Sequence, residues 1–261
     1  MHSASAYIDE LAARGRHHFT TQDARVALGG SLPAVRASLR RLQHRGAISD
    51  PHRGFYVIVP PEYRRLGCLP PEQFIHELMS QLGETYYVAL LSAAELHGAA
   101  HHRPQTFQVM LGKQRRQIVC GEVRVQFLLR RDLDKTAVVE MNTPRGRLRV
   151  ASPDATALEL VGYADQCGGL DNVASVLSEL AEALSAEKLV EAARLCPVAW
   201  VQRLGYLFEL LDQDDLANAL EAQVRERAVA FAPLIRAQST AHAKRLQRWK
   251  LAVNATVEPE R

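Results

Sequence analysis

The side chains that could hold a metal ion begin with a group of histidines. His97 and His101 stand four residues apart and His102 follows. This spacing can place two imidazoles on one face of a helix, where both could ligate one metal. Gly98 interrupts the pair, and no glutamate follows in the arrangement of a helical metalloprotease site. The pattern favours a polar helix end over a metal site.

A second candidate site consists of two carboxylates. Asp132 and Asp134 alternate as on one face of a strand, which is how nucleotidyl-transferring enzymes hold Mg²⁺. No phosphate-binding turn precedes them, their neighbours are basic, and the sequence contains no P-loop or hydrolase motif. A charged loop is the favoured interpretation, so we expect no catalytic residue, metal or cofactor. A metal-dependent nucleotide-processing enzyme is the weaker alternative.

The arginines of residues 31–46 indicate different chemistry, the binding of a polyanion. The segment predicts a helix with Ser31 as its cap, Pro33 in its first turn and Gly46 at its end. The face opposite its apolar stripe carries small residues flanked by arginines, with no acid. Such a face suits the major groove, because a low ridge approaches the bases while long cations reach bases or phosphates. The predicted apolar stripe is Leu32, Val35, Leu39 and Leu42.

The elements around this helix complete a recognisable unit. One helix is predicted before Gly15, and a second is capped by Thr20 or Thr21 and ends at Gly29. Residues 47–59 read as a hairpin with Arg53 near its tip. Together they predict a winged helix-turn-helix over residues 1–65 that binds double-stranded DNA. The residues predicted to contact DNA are Thr20, Thr21, Gln22, Ser31, Arg36, Arg40, Arg41, His44, Arg45 and Arg53.

The rest of the chain predicts a second domain, residues 66–261, after a proline-rich linker. Helices are expected over 72–82 and 87–96, and five β-rich runs between 107 and 151 predict a small sheet. A helix start at Ser152-Pro153-Asp154 opens a helical pattern. The predicted fold class is α+β: a winged helix-turn-helix, a central small β-sheet with helices (66–151) and a C-terminal helical region (152–261).

Charge is distributed unevenly along the chain. Residues 1–65 carry a net charge of +5, residues 103–149 carry +7, and residues 150–227 carry −9. Basic segments fit a polyanion partner, whereas an acidic helical half fits a protein partner. Lys113, Arg115 and Arg116 mark a secondary basic surface between two predicted strands.

The cysteines and the lengths of the apolar runs indicate in which cellular compartment the protein is found. Cys68, Cys120, Cys167 and Cys196 are far apart, which favours buried free thiols over zinc ligands or disulfides. No apolar run approaches the roughly 20 residues that span a bilayer, and the N-terminal residues lack the pattern of a secretory signal. We therefore expect a cytoplasmic protein with no membrane partner.

Several segments together resemble the AbiEi family of antitoxins, from bacterial type IV toxin-antitoxin and phage abortive-infection systems. They are FTTQDA at 19–24, LQHRGAI at 42–48, RGFY at 53–56, YVALLSAAELHG at 87–98 and ASPDATAL at 151–158. The last two carry most of the specificity, because many regulators share the winged-helix motif.

The resemblance implies a transcriptional autorepressor that binds inverted repeats upstream of its own operon. It also implies an antitoxin of antiviral defence that counters a nucleotidyltransferase-like toxin without a tight complex. The alternative left open by the residues is that the acidic helical half binds the toxin directly.

Overall fold

A computed structural model describes residues 3–99 and 104–259. It contains helices and small sheets, so the predicted α+β class is confirmed. The chain divides into two compact units. The first is Met1–Tyr87, Gln105–Arg131 and Glu140–Arg149, and the second is Val88–Pro104, Asp132–Val139 and Val150–Arg261. The predicted domain boundary near residue 65 stays a prediction.

The elements are named here in chain order. The helices are α1 (Ala4–Ala13), α2 (Thr21–Leu28), α3 (Leu32–His44), α4 (Ile75–Leu82), α5 (Leu90–Leu96), α6 (Pro153–Gly162), α7 (Leu170–Leu180), α8 (Ala186–Arg194), α9 (Val198–Leu210) and α10 (Asp214–Arg227). The strands are β1 (His18–Thr20), β2 (Ile48–His52), β3 (Phe55–Ile58), β4 (Tyr86–Val88), β5 (Phe107–Leu111), β6 (Ile118–Cys120), β7 (Val123–Leu129), β8 (Val138–Thr143), β9 (Gly146–Ala151), β10 (Ala232–Pro233), β11 (Lys244–Leu246) and β12 (Leu251–Val253). None of the described helices has the length and apolarity needed to cross a bilayer.

The first unit begins with three helices packed on a sheet of order β1-β3-β2. The helices, the glycine turn and the hairpin lie where the sequence predicts them. Of the predicted apolar stripe of α3, Val35, Leu39 and Leu42 are buried and Leu32 is half-buried. The core residues are Tyr7, Ile8, Leu11, Phe19, Ala24, Val35, Leu39, Leu42, Ile48 and Ile58.

Strand β1 is absent from the sequence-based prediction, which has a polar break between the first two helices. The strand pairs antiparallel with β3, with Thr20 opposite Phe55. It has three residues, of which only Phe19 is fully buried. An alternating pattern cannot show itself over so short a segment.

A six-stranded sheet has the order β6-β7-β5-β4-β9-β8. Strands β5 and β7 are parallel, and β6 and β7 are antiparallel. The single helix predicted over 87–96 is wrong at its start, because Tyr86–Val88 is a strand and the helix begins at Leu90. The helix predicted over 72–82 begins at Ile75, after a 3₁₀ turn at Pro71–Gln73.

The second unit is built mainly of helices, and the predicted helix start at Ser152 is confirmed. The Ser152 side chain accepts a hydrogen bond from the Ala155 amide (3.2 Å), and Pro153 occupies the first helical position. Ser152, although polar, is buried. A capped start inside the core leaves one orphan amide of α6 satisfied, which fixes where the helix begins.

Residues beyond Arg227 are not helical, contrary to the prediction for 152–261. They form a small sheet of order β10-β12-β11. The basic side chains of this segment are partly paired: Arg248 contacts Glu209 (2.9 Å) and Glu221 (3.0 Å). Strands of two or three residues leave no periodicity in the sequence, so the segment resembles an unstructured basic tail.

All four cysteines are buried and free, as predicted. Cys167 lies in the second unit, where burial raises the pKa of its thiol to about 12. A thiol held protonated in this way is a poor nucleophile, so it contributes to the structure as a small apolar group.

We expect the substitution Gly205→Ala to destabilise the protein. A Cβ atom at this position of α9 would lie 2.1 Å from the ring of Trp249, which is fully buried. Overpacking of this kind costs about 1–3 kcal/mol, and urea unfolding measures it. A gain in stability, the ordinary result for glycine to alanine inside a helix, would contradict the packing described here.

Candidate nucleic-acid interface

Helix α3 presents one face to the core and one to solvent. Its N-cap is Ser31, whose side chain accepts a hydrogen bond from the Ala34 amide (3.4 Å). Burial of the apolar stripe fixes the rotation of the helix about its axis. The opposite face is consequently exposed along its length, and the four arginines of α3 and its C-cap are exposed with it.

The exposed face has a low centre. Pro33, Ala37 and His44 lie there, all exposed. At about 100° per residue these three positions point away from the buried stripe. Two of them are small, so the backbone of α3 can approach a flat partner closely along this line.

One flank of the face runs beside the wing. Arg36, Arg40 and Gln43 follow each other at i, i+4 and i+7, which places them on one stripe. The Gln43 amide donates to the Asp50 carboxylate on β2 (2.7 Å), which fixes this stripe next to the hairpin. Arg36 and Arg40 therefore lie on the wing side of α3.

The other flank lines a groove of about 400 Å³. Ser38, Arg41 and Arg45 lie on this flank, and the start of α1 and the Gly29–Gly30 turn form the facing wall. Arg41 donates to the Ser38 hydroxyl (2.9 Å). The sequence predicts arginines on both sides of the helix. The structure shows which side each lies on: Arg36 and Arg40 lie beside the wing, and Arg41 and Arg45 lie on the groove.

The wing carries Arg53 at its turn, with its side chain exposed. Gly54 follows with φ +81°, a left-handed conformation that favours glycine. Its carbonyl accepts a hydrogen bond from the Thr21 amide (3.0 Å). This bond holds the wing tip against the start of α2.

The start of α2 is closed by a capping box. The Thr20 hydroxyl accepts from the Asp23 amide (3.0 Å), and the Asp23 carboxylate accepts from the Thr20 amide (2.9 Å) and from Arg16 (2.8 Å). Burial opposes ionisation of Asp23, but these contacts outweigh it, so the pKa of Asp23 is lowered from 3.8. Among the predicted DNA contacts in this segment, Gln22 is exposed, whereas Thr20 and Thr21 are half-buried.

The charge of the face is not neutralised by nearby acids. Within the described residues, Arg36, Arg40, Arg45 and Arg53 make no ion pair with a carboxylate. Arginines elsewhere in the same unit do so, such as Arg14 with Glu10 (2.5 Å). The face therefore keeps its full positive charge for a partner.

The secondary basic surface is less charged than its sequence indicates. Lys113 and Arg115 both contact the Glu84 carboxylate, at 2.5 and 2.6 Å. Their hydrogen bonds lower the pKa of Glu84, which keeps it ionised. Of the three predicted residues, Lys113 and Arg116 are exposed and Arg115 is half-buried.

The candidate catalytic residues do not converge. Asp132 and Asp134 belong to a 3₁₀ turn, Leu133–Lys135, and its preceding residue, which agrees with the favoured charged loop and not with the alternative of one strand face. His97 Nε2 donates to the Ala151 carbonyl (2.7 Å), while His101 and His102 lie outside the described residues. In the described part of the chain, no group of three or more His, Cys, Asp or Glu residues is placed to hold a metal.

Comparison with known proteins adds a match to a family model. Residues 87–210 match the model of the AbiEi antitoxin C-terminal domain. This segment of the chain is similar to that domain. The resemblance predicted from the sequence is thus confirmed, and this domain supports an antitoxin role in a toxin-antitoxin system. AbiEi antitoxins are not a family of enzymes.

The AbiEi match is accompanied by a likeness of fold to a solved structure. The crystal structure of the RV2827C protein from Mycobacterium tuberculosis is similar, with a TM-score of 0.69 and 18% identity. The match covers 95% of this chain and 90% of that chain. A search of the curated proteins found no match to this chain.

We expect Asp23→Ala to weaken the capping box at the start of α2. Loss of such a cap costs about 0.5–2 kcal/mol of unfolding free energy at neutral pH. Because the pKa of Asp23 is lowered on folding, its stabilisation is present above 3.8 and is lost as the pH falls through the folded-state pKa. The difference in unfolding free energy between wild type and variant should therefore become smaller at acidic pH.

Urea unfolding at pH 7 and at successively lower pH measures this difference. Asp9→Ala is a matched control, because Asp9 is an exposed aspartate on α1. An equal loss in the control, or a difference that stays constant as the pH falls well below 3.8, would contradict the role of Asp23.

Proposed function

We propose that this chain is a DNA-binding autorepressor and the antitoxin of a type IV toxin-antitoxin operon. The observation that carries the proposal is the exposed, unpaired arginine face of α3 beside a wing that carries Arg53. The antitoxin part rests on the AbiEi domain over residues 87–210. The proposed toxin is nucleotidyltransferase-like and encoded beside this chain.

The shape of α3 supports insertion into the major groove of double-stranded DNA. B-DNA's major groove is about 12 Å wide and admits one helix. The low centre of the exposed face, with Ala37, lets the backbone approach the base edges. Arg40 and Arg41 stand on either side of that centre and can reach bases or the two phosphate walls.

Phosphate contacts would fix the register of the protein on the duplex. Arg53 on the wing and Gln22 at the start of α2 are held together by the bond between Thr21 and Gly54. Arg45 lies on the far flank, in the groove beside α1. These positions bracket α3 on both sides, as backbone contacts do in helix-turn-helix complexes.

An operator with inverted repeats follows if two copies bind one site. Each copy would read one half-site, and the half-sites would be separated by about one helical turn, 10–10.5 base pairs, or a multiple of it. Such a site upstream of the operon would make expression of both genes respond to the amount of this protein.

A second candidate is direct binding of the toxin, and a surface of the second unit favours it. Glu187 and Glu191 on α8, and Asp214 and Asp215 on α10, are exposed acids. The exposed Leu195 lies next to α8, with 56% of its surface accessible. An acidic surface with an apolar residue suits a basic protein partner.

We expect Arg40→Ala to weaken binding to a duplex from the chain's own promoter region by about 1–3 kcal/mol, roughly 5- to 150-fold. Fluorescence anisotropy at several salt concentrations measures it. If Arg41 contacts a phosphate, Arg41→Ala should reduce the slope of log K against log salt by about 0.9.

Point variants of the full chain are preferable to a deletion of residues 1–65, because the first unit continues to Tyr87 and beyond. Arg194→Ala is a matched control, an exposed arginine on α8. If Arg40→Ala and Arg41→Ala bound the promoter duplex like wild type, the proposed interface would be wrong. Equal affinity for unrelated duplex would exclude a specific operator.

The two antitoxin mechanisms differ in whether a stable complex forms. We expect the chain and its toxin, co-expressed, to separate on size exclusion at physiological salt. Co-elution that is lost when Asp214→Lys and Asp215→Lys are combined would instead establish the second candidate. Both substitutions lie on exposed positions of α10, so they leave the core unchanged.

A further inference from the structure

Arg203 is a buried cation in the second unit without a carboxylate partner. It lies on α9 with only 3% of its surface exposed. Its Nε donates to the carbonyls of Pro233 (3.0 Å) and Leu234 (3.0 Å), and its Nη2 donates to Pro233 (2.8 Å). Backbone carbonyls satisfy these donors, but they do not balance the charge, and an unbalanced buried charge is costly.

The third nitrogen of Arg203 is the one that remains available to a ligand. Nη1 makes no hydrogen bond to any residue that the structure describes, and it is not among the polar atoms sealed from solvent. Arg203 lines a cavity of about 130 Å³. A cavity of this size has room for several waters or for one small oxyanion.

A second cation lies on the same cavity. Arg236 belongs to the lining, and its side chain is exposed. Burial, and then the charge of Arg236, lower the pKa of Arg203 to about 10, so Arg203 is still cationic at neutral pH. Two like charges beside one cavity repel each other, and an anion between them would remove that repulsion.

The start of α7 contributes a third favourable feature. Gly169, with φ +94°, is the N-cap, and no side chain caps the helix. Gly169 and Leu170 line the cavity; the Gly169 amide donates to the Ala164 carbonyl (2.9 Å), so the Leu170 amide is the one left for a ligand. Asp171, in the first turn of α7, is not part of the lining. The first amides of a helix have no partner within it, and the helix dipole favours negative charge at this end.

One acid belongs to the lining, and it does not cancel the charge. Asp165 is exposed, and it makes no ion pair with either arginine of the lining. With Arg203 and Arg236 the lining keeps a net charge of +1. The cavity therefore combines a buried guanidinium, a second guanidinium and an uncapped helix start.

We propose that this cavity binds a small phosphate-type oxyanion, held by Arg203, Arg236 and the first amides of α7. The source of the anion is inorganic phosphate or the terminal phosphate group of a mononucleotide. Arg203 offers its free nitrogen Nη1 to a phosphate oxygen, Arg236 can offer two donors, and helix starts bind phosphate in many folds. The site is separate from the proposed DNA interface on α3.

The test is calorimetry and thermal unfolding of the full chain in a chloride buffer at constant ionic strength. Inorganic phosphate, sulfate and a mononucleotide are titrated separately. We expect saturable binding and a melting temperature that rises with phosphate concentration, because a ligand that binds only the folded state stabilises it. Tighter binding of the nucleotide would assign the anion to a nucleotide, and binding of inorganic phosphate alone would assign it to the free ion. Absence of saturable binding by all three would overturn the proposal.

Variants connect the binding to the cavity. Arg236→Gln, at an exposed position, should weaken phosphate binding roughly tenfold, the loss of one charge-assisted contact. Arg203→Gln should abolish phosphate binding. Arg203 also holds the backbone at 233–234, so the substitution can prevent folding. If the Arg203→Gln variant does not fold, the result for Arg236→Gln decides the test. Arg225→Gln, an exposed arginine on α10, is the matched control and should bind like wild type.

Two outcomes separate this inference from the proposed DNA binding. Arg40→Ala should leave phosphate binding unchanged, because Arg40 lies on α3, in the other unit. If Arg236→Gln and Arg225→Gln weakened phosphate binding equally, the anion would be responding to overall charge and the cavity proposal would be wrong. Neither result depends on whether the promoter duplex binds.

Discussion

Burial of one narrow stripe on α3 is the constraint on which the candidate interface depends. Val35, Leu39 and Leu42 pack into the core of the first three helices, and their burial sets the rotation of α3. Because these three residues face the core, the arginines on the opposite side of the helix are exposed to solvent. The hydrogen bond between Gln43 and Asp50 then aligns α3 with the hairpin, so that one arginine stripe follows the wing. The positions of the arginines on the surface thus follow from the packing of the apolar stripe in the core.

The two units handle positive charge in opposite ways. On α3 and the wing the arginines make no ion pair with a carboxylate within the described residues, and the charge stays available. In the second unit Arg248 contacts Glu209 and Glu221 and lies over the ring of Trp249. The charge of Arg248 is therefore paired with acids of the same unit. Net charge along a sequence therefore does not say which basic residues can attract a partner, because pairing decides that.

The sequence predicts those elements that carry a strong local signal. The apolar period of α3, the caps at Ser31 and Ser152 and the glycine turns are such signals, and the structure agrees with each. The features that the sequence does not predict lack such a local signal. Strand β1 has three residues and strand β10 has two, too few for an alternation to appear. The partners of Glu84 are about thirty residues away along the chain, and no local pattern records such contacts.

The cavity beside Arg203 also could not be predicted. Its lining comes from α6 and the turn after it, the start of α7, α9 and the segment after residue 233, which are brought together only by folding. In the sequence Arg203 is one more residue of a helix, and Gly169 is part of an ordinary glycine pair. The signal that marks the site is a buried charge without a counter-charge, which is a property of the environment.

The ring of Trp249 has a consequence for how the chain acquires its structure during synthesis. Trp249 is fully buried against Gly205 of α9, yet it comes more than forty residues later in the sequence. Helices α6 to α10 therefore leave the ribosome before the side chain that fills the space beside them. Until that residue emerges, α9 has an apolar gap where the indole belongs, so this unit reaches its final packing late and as a whole.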